Sequence, residues 1–259
     1  MITNIILTEL IKLLKLVQAI KSIKPVVLAT LYIAIVLAIV PNVTPAYARP
    51  ANQSSLINHI HIPKNLPNST TQLIVVTQHN PSIAAQITLL QKNSNQWQQA
   101  AIPPISAVVG SEGITSAAQK IEGDNKTPAG LYKLGPAYGT KPLALKMDYR
   151  YITNQDKFID DPKSKDYNTW VVGNTSATSY EAMNLGHGAY DLGLVINYNM
   201  NPVISGKGSA IFMHIWESST IGTHGCVAMA KPNMLKLLKW LDKNSNPYIL
   251  ITLPATSTE

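Results

Sequence analysis

Residues 209–229 read SAIFMHIWESSTIGTHGCVAM. The stretch holds the chain's only cysteine, Cys226, and two of its six histidines, His214 and His224. From Ser209 the pattern alternates with period two. Ile211, Met213 and Ile215 fall on one face, and Phe212, His214 and Trp216 on the other, which predicts a strand. Glu217 to Gly222 is small and polar and ends in glycine, as a loop does. An extended Thr223–Val227 would put His224 and Cys226 on one face, so that a thiol and one or two imidazoles converge at a strand end. A thiolate is the nucleophilic form of cysteine, and a nearby imidazole is the usual way to generate it. Gly225 lets backbone and substrate approach closely. The plain alternative is a cysteine buried as a small apolar side chain. Zinc would need a third or fourth ligand, and no Cys-x-x-Cys or His-Glu-x-x-His spacing supplies one, so no metal or other cofactor is expected.

The surrounding chain reads as β. Leu73–Val76, Ala85–Leu90, Ile105–Val109, Leu131–Leu134, Gly193–Tyr198 and Tyr248–Leu253 are short apolar runs separated by turn residues, with Trp97 at a strand end. Such spacing suggests a sandwich or barrel. Pro232–Lys243 is the one clear helix, with Met234, Leu235, Leu238 and Leu241 as its apolar face and proline in its first turn. Gly123–Gly130 lacks the Gly-Lys-Ser/Thr ending of a phosphate loop and reads as a turn. Met147–Tyr190 is long and polar. Its acids, Asp160, Asp161 and Asp166, with Asp191 beyond, fit no calcium loop, so they are expected to be solvated. His187, between two glycines, is expected to be structural.

The N-terminus carries Lys12, Lys15, Lys21 and Lys24 against Glu9, then a 15-residue apolar run, Val26–Val40, then Ala46-Tyr47-Ala48. That order reads as a secretory signal peptide over residues 1–48, with an anchor left uncleaved as the competing reading. The run is shorter than the roughly 20 residues that span a bilayer. Residues 49–71 are rich in Asn, Ser, Pro and Gln and are expected to form a flexible linker, His59 and His61 included. The domain follows over 72–253, with a loose tail over 254–259. Past Ala48 the chain has 17 basic and 13 acidic residues, a net charge of +4. It has no basic run, so no nucleic-acid partner is expected. One thiol cannot form an internal disulfide, and an unpaired thiol in an oxidising compartment needs a reason, either burial or reactivity.

Thr223-His224-Gly225-Cys226-Val227, preceded by His214 on an apolar strand, resembles the signature of the L,D-transpeptidase catalytic domain (YkuD-like) family. Gly123-Asp124-Asn125-Lys126-Thr127-Pro128-Ala129-Gly130, Asp160-Asp161-Pro162 and Phe212-Met213-His214-Ile215-Trp216 resemble one branch of it. The resemblance spans Gln72 to Leu253. Many members carry arginine two residues after the cysteine; here Ala228 stands there, so that arginine's role does not transfer. The resemblance implies a mostly-β fold, an L,D-transpeptidase-like β-sandwich with a few short helices. It also implies an exported enzyme of the periplasm or cell wall, monomeric, acting on peptidoglycan stem peptides and touching membrane only through an uncleaved N-terminal segment. Cys226 is then the nucleophile and His214 the general base. Gly225 and Cys226 supply backbone donors to an oxyanion, His224 has a positioning role, and the Ile215 carbonyl orients the imidazole. Hydrolysis of the same thioester, an L,D-carboxypeptidase, and a non-catalytic wall-binding protein are the alternatives. N-terminal sequencing of the exported protein is expected to begin at Arg49; a mature chain retaining Val26–Val40 would establish the anchor instead.

Overall fold

Runs of β-branched and large apolar residues become strands wherever both of their faces can be covered. The computed structural model describes residues 60–78, 82–184, 186 and 188–253. The expected export segment, His59, His187 and the tail 254–259 lie outside the described residues. In chain order the strands are β1 (Gln72–Gln78), β2 (Ala84–Asn93), β3 (Gln96–Gln99), β4 (Ile105–Val108), β5 (Ile114–Ser116), β6 (Thr127–Gly139) and β7 (Tyr149–Tyr151). They continue with β8 (Asp156–Ile159), β9 (Trp170–Val172), β10 (Tyr180–Ala182), β11 (Leu192–Ile196), β12 (Phe212–Ile215), β13 (Val227–Met229) and β14 (Tyr248–Ile251). One helix, α1 (Lys231–Trp240), follows β13.

The principal sheet runs β1-β14-β6-β11-β12-β13-β4-β2, and β2 also pairs with β1, so the pairings return on themselves. Closure removes most free sheet edges. The mostly-β class expected from the sequence is the class observed. A second sheet, β10-β8-β9, is antiparallel throughout. It arises inside the polar stretch 147–190, where strands of three or four residues give little period-two signal.

β12 has two apolar faces. Met213 and Ile215 enter the main core with Ile74, Ile87, Leu194 and Ile249. Phe212 faces the other way, into an aromatic cluster with Tyr138, Phe158, Tyr190 and Cys226. Trp216 packs with the main core rather than with Phe212, because the strand ends at Ile215 and its alternation ends there too. Gly193 lies opposite Tyr138 on β6, and a Cβ there would come within 2.3 Å of the Tyr138 ring, so only glycine allows that tyrosine into the cluster.

Residues 60–71 differ from the expected linker. Ile60, Ile62 and Leu66 cover Leu73, Val75, Leu90 and Leu250 on the outer face of the sheet, and Thr71 N–H donates to Ser245 O at 2.9 Å. Three apolar residues among polar neighbours suffice to hold the segment down. The helix is shorter than expected, because Leu241 turns to extended backbone. Its buried face is Met234, Leu237 and Leu238, with Leu235 only partly covered. Leu237→Ala is expected to destabilise the protein by about 2–5 kcal/mol. Urea unfolding should show that loss, and Leu235→Ala should cost less.

Candidate active site

The nucleophile candidate sits where a loop re-enters the sheet. β12 and β13 pair in parallel, with Met213 opposite Val227 and His214 opposite Ala228. Cys226 immediately precedes β13, so the side chains of Phe212, His214 and Cys226 share one face of the sheet. The structure thereby brings His214 and Cys226 to neighbouring strand ends.

The Thr223–Val227 stretch is not extended. Only Thr223 bridges, to Gly110, and the chain bends through His224 and Gly225 before β13 begins. Gly225 has φ +136°, and a Cβ there would lie 2.9 Å from Lys126 O. The bend separates the two residues that an extended strand would have placed together: His224 is exposed, whereas Cys226 is 7% exposed.

Two threonines hold the bend. Thr223 Oγ1 donates to Cys226 O at 2.7 Å, and Thr127 Oγ1 donates to the same carbonyl at 3.2 Å. Thr127 Oγ1 also accepts from Gly110 N–H at 2.8 Å. Thr127 opens β6, so the expected Gly123–Gly130 turn ends at Lys126; its Asp124 accepts from Ile121 and Lys126 N–H and pairs with Lys120. The start of β6 thereby holds the carbonyl of Cys226, a role its sequence did not declare. Gly225 N–H donates to Thr223 Oγ1 at 3.1 Å, so one of the two expected oxyanion donors is engaged within the loop. Among the described residues the Cys226 N–H donates to no protein group.

The imidazole is oriented from behind. His214 Nδ1 lies 2.9 Å from Ile215 O. A carbonyl only accepts, so Nδ1 carries the proton and Nε2 keeps its lone pair. The ring stands edge-on to Tyr190, with centroids 5.4 Å apart. Burial pushes the His214 pKa down to about 4, against the opposing pull of the Ile215 carbonyl.

The thiol is equally reluctant to ionise. Cys226 Sγ accepts from Phe212 N–H at 3.4 Å and donates to Ala210 O at 3.3 Å. Burial pushes its pKa up to about 12; the Phe212 N–H opposes the rise, the charge of Glu181 adds to it, and that of Lys120 opposes it. The resting pair is a neutral thiol and a neutral imidazole.

Glu181 and Tyr190 are site residues that the sequence reading did not single out. Tyr190 O–H donates to Glu181 Oε2 at 3.2 Å. Glu181 lies on β10 opposite Phe158, whose ring is 5.0 Å from that of Phe212. The carboxylate thus faces the aromatic cluster that contains the thiol. An acid in a three-residue strand offers no periodicity to find it by. Three of the four aspartates read as solvated have side-chain partners instead. Asp161 accepts from Lys163 and Thr178, Asp160 accepts from Ser179, and Asp191 pairs with Lys231. Asp166 takes part through its backbone, its carbonyl accepting from Thr169. Among the described residues no group of histidine, cysteine, aspartate and glutamate could hold a metal ion.

The family model of the YkuD L,D-transpeptidase catalytic domain matches residues 73–250. No curated protein and no solved structure matches the chain.

The two pKa shifts fix a stability profile. The unfolded chain binds a proton at His214 near pH 6.5 but the folded protein only near pH 4, so this contribution is lost as pH falls between those values. The unfolded thiol ionises near pH 9 and the folded one near 12, so its contribution is lost as pH rises through that window. Chemical denaturation across pH should show both slopes. His214→Ala should flatten the acid one and Cys226→Ala the alkaline one.

Proposed function

The chain belongs to the L,D-transpeptidase catalytic-domain (YkuD) family, and from that premise we propose that it is an exported, monomeric cysteine acyltransferase of the periplasm or cell wall. Residues 1–48 direct export, and 72–253 form the catalytic domain. The substrate is a peptidoglycan tetrapeptide stem, and an amine is the acceptor. The observation that supports this reading is the pairing of β12 with β13, which brings His214 and Cys226 to one face of neighbouring strands, with Nδ1 of His214 against Ile215 O.

The reaction runs in two halves. Cys226 Sγ attacks the carbonyl of the L,D bond after the stem's third residue, while His214 Nε2 takes the thiol proton. The C–N bond breaks, the imidazolium gives that proton to the departing amine of D-alanine, and a thioester remains. The acceptor amine then attacks the thioester, and its proton passes through His214 to the sulfur as the C–S bond breaks. The Cys226 N–H is the donor available to the developing oxyanion. One such donor is worth roughly 10²–10³ in rate in other acyl-transfer enzymes. His224, exposed on the bend, acts in positioning.

Muropeptides incubated with the purified protein and resolved by mass spectrometry test this directly. Cross-linked or amine-adducted product, with D-alanine released, is the expected result. Hydrolysed stem in the presence of ample amine would make the enzyme a carboxypeptidase. No turnover with retained binding to the wall would make it a non-catalytic binder. Cys226→Ser should fold and lose activity. His214→Ala should lose about 10²–10⁴-fold in acylation rate, the usual contribution of a general base. His224→Ala should keep more activity; if it is the more damaged of two folded variants, the base is misassigned.

A further inference from the structure

Glu181, and the two carboxylates whose charges act on it, Glu122 and Asp160, have only hydroxyl groups as side-chain partners. Glu181 accepts from the Tyr190 hydroxyl, Glu122 from Ser209 Oγ at 2.7 Å and from the Tyr167 hydroxyl, and Asp160 from Ser179 Oγ. Among the described residues none of the three forms a salt bridge. The lysine whose charge reaches the thiol, Lys120, is paired with Asp124 instead.

Glu181 is the one tied to the reacting groups. Its hydroxyl donor, Tyr190, packs edge-on against the His214 ring. Its cross-strand neighbour Phe158 packs against Phe212, whose N–H holds the sulfur. The Tyr138 hydroxyl, fully buried in the same cluster, has no partner among the described residues, so the site has polar capacity left over. Burial raises the Glu181 pKa; the Tyr190 bond opposes this, the charge of Asp160 adds to it, that of His224 opposes it, and that of Glu122 adds to it. The Glu181 charge in turn disfavours the Cys226 thiolate. Once the sulfur is acylated it bears no charge, and the carboxylate then opposes nothing. It keeps the Tyr190 hydroxyl, which stands against the His214 ring, as its only side-chain partner, and a carboxylate without a paired cation draws one.

We propose that Glu181 determines acceptor specificity: its carboxylate binds the ammonium form of the incoming amine and holds it beside the Cys226 thioester. This rests on the acyltransferase reading above. The bound ammonium gives one proton to solvent. The free amine attacks, its second proton moves to His214 as the C–N bond forms, and that proton reaches the sulfur as the C–S bond breaks. Glu181 thus selects cationic nucleophiles over neutral ones, water included.

The test uses the full chain, a tetrapeptide donor and two nucleophiles: a simple primary amine, cationic at physiological pH, and hydroxylamine, which is neutral there. Mass spectrometry reads the capture of the thioester as each is titrated. In the wild type, added salt should weaken capture of the amine but not of hydroxylamine, a comparison that needs no variant. Glu181→Gln should lower the preference for the amine over hydroxylamine by about tenfold, the scale of one charge-assisted hydrogen bond. Glu181→Asp, which keeps the charge, should retain most of the preference. A preference unchanged within about twofold in folded Glu181→Gln overturns the assignment, as does equal loss in Gln and Asp variants, which would mean shape rather than charge. If the wild type forms no thioester at Cys226, the acyltransferase reading fails first and takes this assignment with it; that failure shows before any Glu181 variant is made.

Discussion

The parallel pairing of β12 with β13 is the constraint on which the site depends. Parallel neighbours cannot be joined by a tight turn, and usually a helix makes the crossover. Here residues 216–226 make it without one. The backbone of that connection must find its hydrogen bonds elsewhere. It finds them in Thr223, which bonds to Val109 O, Ser111 N–H and Cys226 O, and in Thr127, which reaches across from another strand to the same Cys226 carbonyl. Gly225 supplies the left-handed backbone and leaves room for Lys126 O. The loop is therefore held by the start of β6. The two motifs, so far apart in the chain, form one structural unit.

That unit fixes Cys226 but leaves its chemistry unspent. The His214 ring has a defined tautomer, yet the thiol proton points at Ala210 O and not at the imidazole. With the histidine held near pKa 4 and the thiol near 12, an ion pair between them is far from the resting state. Desolvation dominates both shifts, and it acts in the same sense on both partners: it favours the neutral forms. In the proposed reaction a substrate carbonyl changes that balance, because negative charge can then settle on an oxyanion beside the Cys226 N–H.

Much of this was legible in the residues. The β runs at 73–76, 85–90 and 105–109 and the amphipathic helix follow from period and composition, whereas the choice of His214 as the partner of Cys226 comes from the family resemblance. The failures share a physical cause. β6 runs for 13 residues through three glycines and two prolines, and propensity alone does not predict that. Tertiary pairing with β5, β7, β11 and β14 makes it a strand. Leu237 was missed because α1 buries two adjacent leucines, a broader face than a narrow heptad reading allows. The bend at His224–Gly225 was read as extended because period two cannot see a positive φ. Glu181 reaches the site through the second sheet and Tyr190 from the turn before β11, and a contact made by such packing leaves no mark on local sequence.

The unpaired cysteine posed a choice between burial and reactivity; the structure shows the burial, and the proposed function asks for the reactivity as well. Oxidants attack the thiolate, as substrates do. A thiol whose pKa is pushed up to about 12 presents almost none of it at neutral pH. Phe212 and the Ala210 carbonyl hold the sulfur inside an aromatic shell of Tyr138, Phe158 and Tyr190. The Glu181 carboxylate then adds a charge that repels thiolate formation further. For the exported enzyme proposed above, this arrangement gives up ground-state reactivity in exchange for survival of the nucleophile. In that proposal the rate comes from groups that act only once a carbonyl is in place: the Nε2 lone pair of His214 and the N–H of Cys226. An enzyme that kept a stable thiolate–imidazolium pair would be faster to acylate, but in an oxidising compartment it would be consumed by side reactions. The shell around Cys226 therefore decides when the nucleophile exists as well as where it sits.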